Sequence, residues 1–292
     1  MQTIIIDVKN NFNYISDIVK KELCDKFSFD EKNNKLVFNS EDSAFLQLKV
    51  AEILTEYIIN FEEENLLKSL IYLDYAFLNT TEKTNILNTA IKLIKNHDND
   101  FLRMLILLKR RFLIKQNILE YLSEDNYLNL EGFIKFRLSS YKKMLLELIQ
   151  KVVEDYKLQK EYKEFINMLK FFVESQRNRS PKLHVIFEEN GEYLILDEKN
   201  KNITKNCFEE FNETKEQNNL NNEDVLISSL ITLAPRKLFL HFESENYNKK
   251  IVNTIEQIFE NKVFVSSEPL LELVRWIRKK SPQDKFLWTK YF

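Results

Sequence analysis

Lys237-Leu238-Phe239-Leu240-His241-Phe242, then an apolar-periodic run over 247–260, then Lys262-Val263-Phe264-Val265, reads as strand, helix, strand. A helix between two such strands is a crossover, and a crossover joins parallel neighbours in one sheet. The C-terminal part of the chain is therefore α/β. Just upstream, Leu183-His184-Val185-Ile186-Phe187 and Tyr193-Leu194-Ile195-Leu196 flank Asn190-Gly191. Asn-Gly between two strand-like runs predicts a hairpin over 183–197 with a two-residue type I′ turn, both of whose central residues need φ > 0. Between hairpin and crossover, 198–221 is a polar loop with one short helix near 208–211, and 224–234 is a helix stopped by Pro235. A last helix starts at Glu268.

Arg179-Ser180-Pro181 separates this region from what precedes it. Residues 61–177 read as entirely helical, without a proline and with Gly132 at a helix boundary. Thr81-x-x-Thr84 and Asp98-Asn99-Asp100 mark helix starts. Stripes over 138–155 and 158–174 predict two long helices with a short break, an antiparallel pair. Residues 1–60 read as a small α/β unit with a strand over 3–8 and a helix carrying Phe12, Ile15, Ile18, Val19 and Leu23. A hairpin follows over 27–38, and then a helix to about residue 60, N-capped by Ser40. The expected fold class is α+β: a small α/β unit (1–60), an all-helical middle region (61–177) and a C-terminal α/β region with a hairpin and a βαβ crossover (178–292).

The chain of 292 residues holds only two glycines, Gly132 and Gly191. Phosphate loops need several glycines so that backbone N–H groups can approach the ligand, so neither GxGxxG nor GxxxxGK[ST] exists here. No cofactor is expected. Cys24 and Cys207 are too far apart in sequence to read as a CxxC motif, and two isolated thiols fit a reducing compartment. The N-terminus lacks a basic n-region, and no apolar run approaches the ~20 residues that span a bilayer. A cytoplasmic protein without a transmembrane segment is the expectation. The formal net charge of −2 excludes bulk electrostatic attraction to polyanions, though not a local basic patch.

Four stretches carry a family resemblance: Glu131-Gly132-Phe133-Ile134-Lys135-Phe136-Arg137-Leu138; Glu161-Tyr162-Lys163-Glu164-Phe165-Ile166 with Leu169-Lys170-Phe171-Phe172-Val173; Leu183-His184-Val185-Ile186; and Asp224-Val225-Leu226-Ile227-Ser228-Ser229-Leu230-Ile231-Thr232-Leu233-Ala234-Pro235-Arg236-Lys237. Together they resemble the YtxC family of sporulation proteins of endospore-forming bacteria. The resemblance implies a sporulation context. It brings no activity and no catalytic residue to carry over, because these are packing signatures.

Candidate site residues are few. His97, His184 and His241 show no metal-ligand spacing, and no metal is expected. His184 and His241 lie on strand-like runs and can neighbour each other in one sheet, either as structural histidines or as part of a site. Ligands favour the carboxyl ends of parallel strands, which here carry His241, Glu243, Ser266 and Ser267. Ser267 also fits a plain helix cap. Ser228-Ser229 lies inside a helical run without a nucleophile elbow. Glu62-Glu63-Glu64 reads as a solvated helix start, and Lys109-Arg110-Arg111 as snorkelling ends of a buried apolar run, 101–108.

The tail is the most polarised segment. Residues 271–292 carry six basic side chains against two acids, a local +4 that leaves −6 on the other 270 residues. On a helix Arg275, Arg278 and Lys279 share one face, with Lys280 beside them, and Leu270, Leu273, Val274 and Ile277 share the opposite one. The basic face reads either as a contact for an acidic partner, nucleic acid or anionic lipid, or as a solvated helix face. Without a catalytic motif, the leading function is binding a protein partner. The alternatives are nucleic-acid binding through the basic helix and an enzyme with an anionic ligand at the strand ends. The sequence leaves the oligomeric state open.

Overall fold

The computed structural model describes residues 2–21, 28–32, 34–95, 101–177, 179–188, 190–208, 221–242 and 247–265. The chain divides into two compact units, residues 1–158 and 159–292. As the patterning predicts, the fold is α+β with a helical middle region and a small mixed sheet in each unit.

In the first unit, β1 (Gln2–Asp7) pairs antiparallel with β3 (Lys35–Ser40), which pairs with β2 (Ser28–Lys32). Alternation along β1 and β3 buries Ile4, Ile6, Leu36 and Phe38, the period-two signature of a half-covered sheet. Helix α1 (Phe12–Lys21) and α2 (Ser43–Tyr57) contribute Ile15, Val19, Leu46, Val50 and Leu54 to the same core. The α2 cap is Asp42, whose carboxylate accepts from Phe45 N at 3.0 Å, not Ser40. Ser40 ends β3, and its hydroxyl accepts from Asp42 N instead. A π-helical turn, Ile58–Glu62, joins α2 to α3 (Glu63–Asp74), and α4 (Thr80–Lys95) and α5 (Phe101–Glu124) follow.

In the middle region two elements depart from the sequence expectation. A strand, β4 (Tyr127–Asn129), interrupts the helical region and pairs parallel with β1 from Ile5 to Asp7. Three residues are too few to show a period. Asn129 then caps α6 (Leu130–Phe136) by accepting from Gly132 N at 2.8 Å. A Cβ on Gly132 would meet that same oxygen at 2.9 Å, so glycine keeps the cap in place. The expected antiparallel pair is one continuous helix, α7 (Ser139–Ser175). Asp155-Tyr156-Lys157-Leu158 contains no glycine or proline to stop it. The two halves of the helix enter different cores: Tyr141, Leu145, Ile149 and Val152 the first, Ile166 and Val173 the second.

The second unit holds the sheet β6-β5-β7-β8, from β5 (Leu183–Phe187), β6 (Tyr193–Leu196), β7 (Leu238–Phe242) and β8 (Val263–Val265). β5, β7 and β8 are parallel, and β6 is antiparallel to β5. The helices Asn222–Leu233 and Lys249–Phe259 pack with α7 on the face carrying Leu183, Val185, Ile195, Leu238 and Leu240. Asn221 and Asp224 form a capping box, and Ala234 ends its helix in the left-handed region at φ 42° before Pro235. Residues 204–208 are helical, and the remainder of the expected short helix lies outside the described residues.

The hairpin forms, but its turn is wider than a two-residue type I′. Gly191 N donates to Glu188 O at 3.1 Å and Glu188 N to Glu192 O at 3.0 Å, which leaves three residues in the loop. Gly191, at φ 82°, takes the left-handed position that closes such a loop as a G1 bulge. A side chain there meets no atom within 4 Å, so a substitution pays only in backbone strain. Gly191→Val is expected to cost about 1–2 kcal/mol, and an unchanged urea midpoint would refute the assignment.

Candidate functional site

His184 on β5 and His241 on β7 meet on the sheet face opposite those helices. The parallel register sets Phe239 beside His184 and Ile186 beside His241, so the two imidazoles are diagonal neighbours. His184 Nδ1 lies 2.9 Å from His241 Nε2. The His184 ring stacks on Phe239, with centroids 5.1 Å apart. Each histidine is only 2% exposed.

Both outer nitrogens, His184 Nε2 and His241 Nδ1, are buried without a hydrogen-bond partner. The two neutral tautomeric arrangements share one defect. One N–H bridges the rings, and the pair is left with one unmet N–H donor and one unmet lone pair. A third proton would produce two unmet donors and a buried charge. Burial pulls the His184 pKa down to about 4, assisted by Lys182 and by His241 itself. Burial, then Lys182, lowers His241 as well. The pair is neutral near pH 7.

Of the strand-end residues only His241 is described; Glu243, Ser266 and Ser267 lie outside the described residues, as do Arg275, Arg278, Lys279, Lys280, His97 and Cys24. The one pairing made visible is His184 with His241. A pocket of about 200 Å³ on the helical side is lined by Ile203, Asn206, Cys207, Ser229, Thr232 and Leu233. The Ser229 hydroxyl is spent on Val225 O at 2.8 Å, which fits its helix-interior reading.

Two charged positions correct the sequence reading. Glu63 is not solvated. It is 3% exposed and accepts from Arg110 Nη1 at 2.7 Å, and the Tyr141 hydroxyl donates to its other oxygen. Arg110 therefore buries its guanidinium instead of snorkelling, with Nε left unpartnered. Burial and Glu63 push the Tyr141 pKa well above the phenol range. In the run expected to be buried, Leu105 and Leu108 are exposed. Glu131 joins two elements through contacts that no local pattern marks. Its Oε1 accepts from Lys9 N at 2.7 Å and Asn10 N at 2.8 Å, tying α6 to the turn after β1. Its place beside Gly132 in the resemblance motif was the available signal.

A family model described as YtxC-like family matches residues 48–264. The chain is similar to the uncharacterized protein YtxC of Bacillus subtilis (strain 168), 25% identical over 254 residues that cover 80% of this chain and 85% of that one. No solved structure matches. Among the described residues no helix is long and apolar enough to cross a membrane.

Proposed function

The chain belongs to the YtxC-like family, and on that footing we propose that it is a non-enzymatic, sporulation-associated cytoplasmic protein that works by holding a protein partner. The reading is supported by one surface. On the second half of α7, Phe165, Met168, Phe171 and Phe172 are 46–68% exposed within little more than two turns. Clustered exposed apolar side chains mark interaction sites more often than chance exposure does, and aromatics and Met are the residue types enriched there.

The strand-end reading keeps one observation, the unpartnered outer nitrogen of buried His241. The nucleic-acid reading rests on the charge of residues 271–292.

The experiment is done in an endospore former whose native gene is deleted. Deletion is expected to lower the yield of heat-resistant spores. Phe165→Ser with Phe171→Ser, expressed at normal level, is expected to reproduce that loss with an unchanged melting temperature, since exposed substitutions cost within ~0.5 kcal/mol each. Full sporulation of the deletion strain would end the sporulation reading. Full sporulation of the double variant would end the role of this surface. DNA binding that weakens steeply with salt would favour the nucleic-acid reading instead.

A further inference from the structure

Helix α5 is apolar on both of its sides. Ile114 and Ile118 are fully buried in the first core, and Arg110 is buried on Glu63. At about 100° per residue, the opposite side carries Leu105, Leu108, Lys109, Phe112, Lys115 and Gln116 within an arc of about 120°. Exposure follows the wheel. Leu105, Leu108 and Phe112 are 46–64% exposed, Lys109 and Gln116 are exposed, and Lys115 is half-buried. Leu105, Leu108 and Phe112 stand at i, i+3 and i+7, so they form one patch on one face rather than scattered single exposures.

The patch is rimmed by positive charge. Residues 105–119 contain Lys109, Arg110, Arg111 and Lys115 and no Asp or Glu. Both arginines are paired, Arg110 with Glu63 and Arg111 with Glu56, each at 2.7 Å. Lys109 and Lys115 have no ion pair among the described residues, and they lie about 60° to either side of Phe112. This composition selects among occupants. The centres of protein interfaces are depleted in lysine. The exposed set on α7, Phe165, Met168, Phe171 and Phe172, is of the protein-contact kind instead. A nucleic-acid backbone would take the lysines and leave Leu105 and Leu108 in water. An anionic bilayer surface uses both groups: apolar side chains enter the acyl boundary while the long lysine stems carry their ammonium groups up to the phosphates.

We propose that the outer face of α5 seats the first unit on an anionic phospholipid surface, with Leu105, Leu108 and Phe112 inserted and Lys109 and Lys115 at the headgroup phosphates. The helix lies on the bilayer and does not cross it. Three apolar side chains and two cations make a reversible contact, which requires anionic lipid and weakens with salt. The contact uses the first unit alone and does not depend on the α7 surface argued above.

The test is sedimentation of the full chain with vesicles of phosphatidylcholine alone or of phosphatidylcholine mixed with phosphatidylglycerol. Binding is expected only to the mixed vesicles. Lys109→Gln with Lys115→Gln is expected to weaken it ~20-fold, about fivefold for each lysine at an anionic surface. Leu108→Ser with Phe112→Ser is expected to weaken it ~10-fold or more, with an unchanged melting temperature in both variants. Phe165→Ser with Phe171→Ser is expected to bind vesicles as wild type does, so either surface can fail while the other stands. Absence of binding to mixed vesicles would overturn the proposal, as would equal binding to phosphatidylcholine alone or undiminished binding by either folded α5 variant. Binding of a DNA duplex in place of vesicles, lost in the lysine variant, would assign the face to nucleic acid and also overturn it. Should the apolar variant not fold, the lysine variant decides.

Discussion

Glu63→Ala is expected to destabilise the first unit by about 3–5 kcal/mol, the range seen when one member of a buried ion pair is removed. The loss has two parts. Arg110, itself 8% exposed, would keep a buried guanidinium with no counter-charge, and its Nε already lacks a partner. The Tyr141 hydroxyl, fully buried, would lose the carboxylate it donates to. An unmet buried hydroxyl alone costs about 1–3 kcal/mol. Arg110→Ala should fall in the same range, because it strands the carboxylate instead. The triple change Glu63→Leu, Arg110→Met, Tyr141→Phe removes every polar member together, and it is expected to recover most of the loss, since apolar replacements of whole buried pairs are often neutral. Urea denaturation followed by exchange of the α2 and α5 amides reads the first unit by itself. A Glu63→Ala midpoint within the error of wild type would show that the pair contributes nothing.

That cluster was not legible in the sequence. Glu62, Glu63 and Glu64 are identical residues in a row, and they have three different roles: Glu62 accepts from the Tyr57 hydroxyl, Glu63 is buried on Arg110, and Glu64 faces Lys95 at the surface. Which one turns inward depends on the helical phase after the π turn Ile58–Glu62, and one extra residue per turn there rotates everything that follows. The second sheet was legible because its strands are continuous β-branched and aromatic runs with turn signals between them. The strand β4 was not, because Tyr127–Asn129 is held by its partner β1 more than by its own pattern. The histidine pair lies between these cases. Placing His184 and His241 on strands needed only local pattern, whereas bringing them together needed the order β6-β5-β7-β8 and the pairing of Ile186 with His241.

The same pair makes stability depend on pH in a defined window. In the unfolded chain both rings titrate near 6.5. In the folded protein His184 is held down to about 4, by burial first and then by Lys182 and His241, and His241 is lowered by burial and Lys182. Between these values the unfolded chain binds more protons than the native one, so acid favours unfolding. The contribution is therefore complete above pH 6.5 and drains away as the pH falls, His184 adding no further loss below about 4. For His184 the whole drop amounts to at most about 3–4 kcal/mol at 1.36 kcal/mol per pKa unit. Carboxylates elsewhere also begin to titrate in that range, so the comparison must be with a chain lacking only the rings. His184→Leu with His241→Leu removes both unmet nitrogens at similar volume, and replacing both partners avoids stranding either. The variant is expected to match or exceed wild type at pH 7 and to lose less stability from pH 7 to 4.5. Chemical denaturation at half-unit steps measures the difference between the two curves. Parallel curves across that interval would mean that the rings do not titrate between the folded and unfolded states, and the buried neutral pair would have to be abandoned.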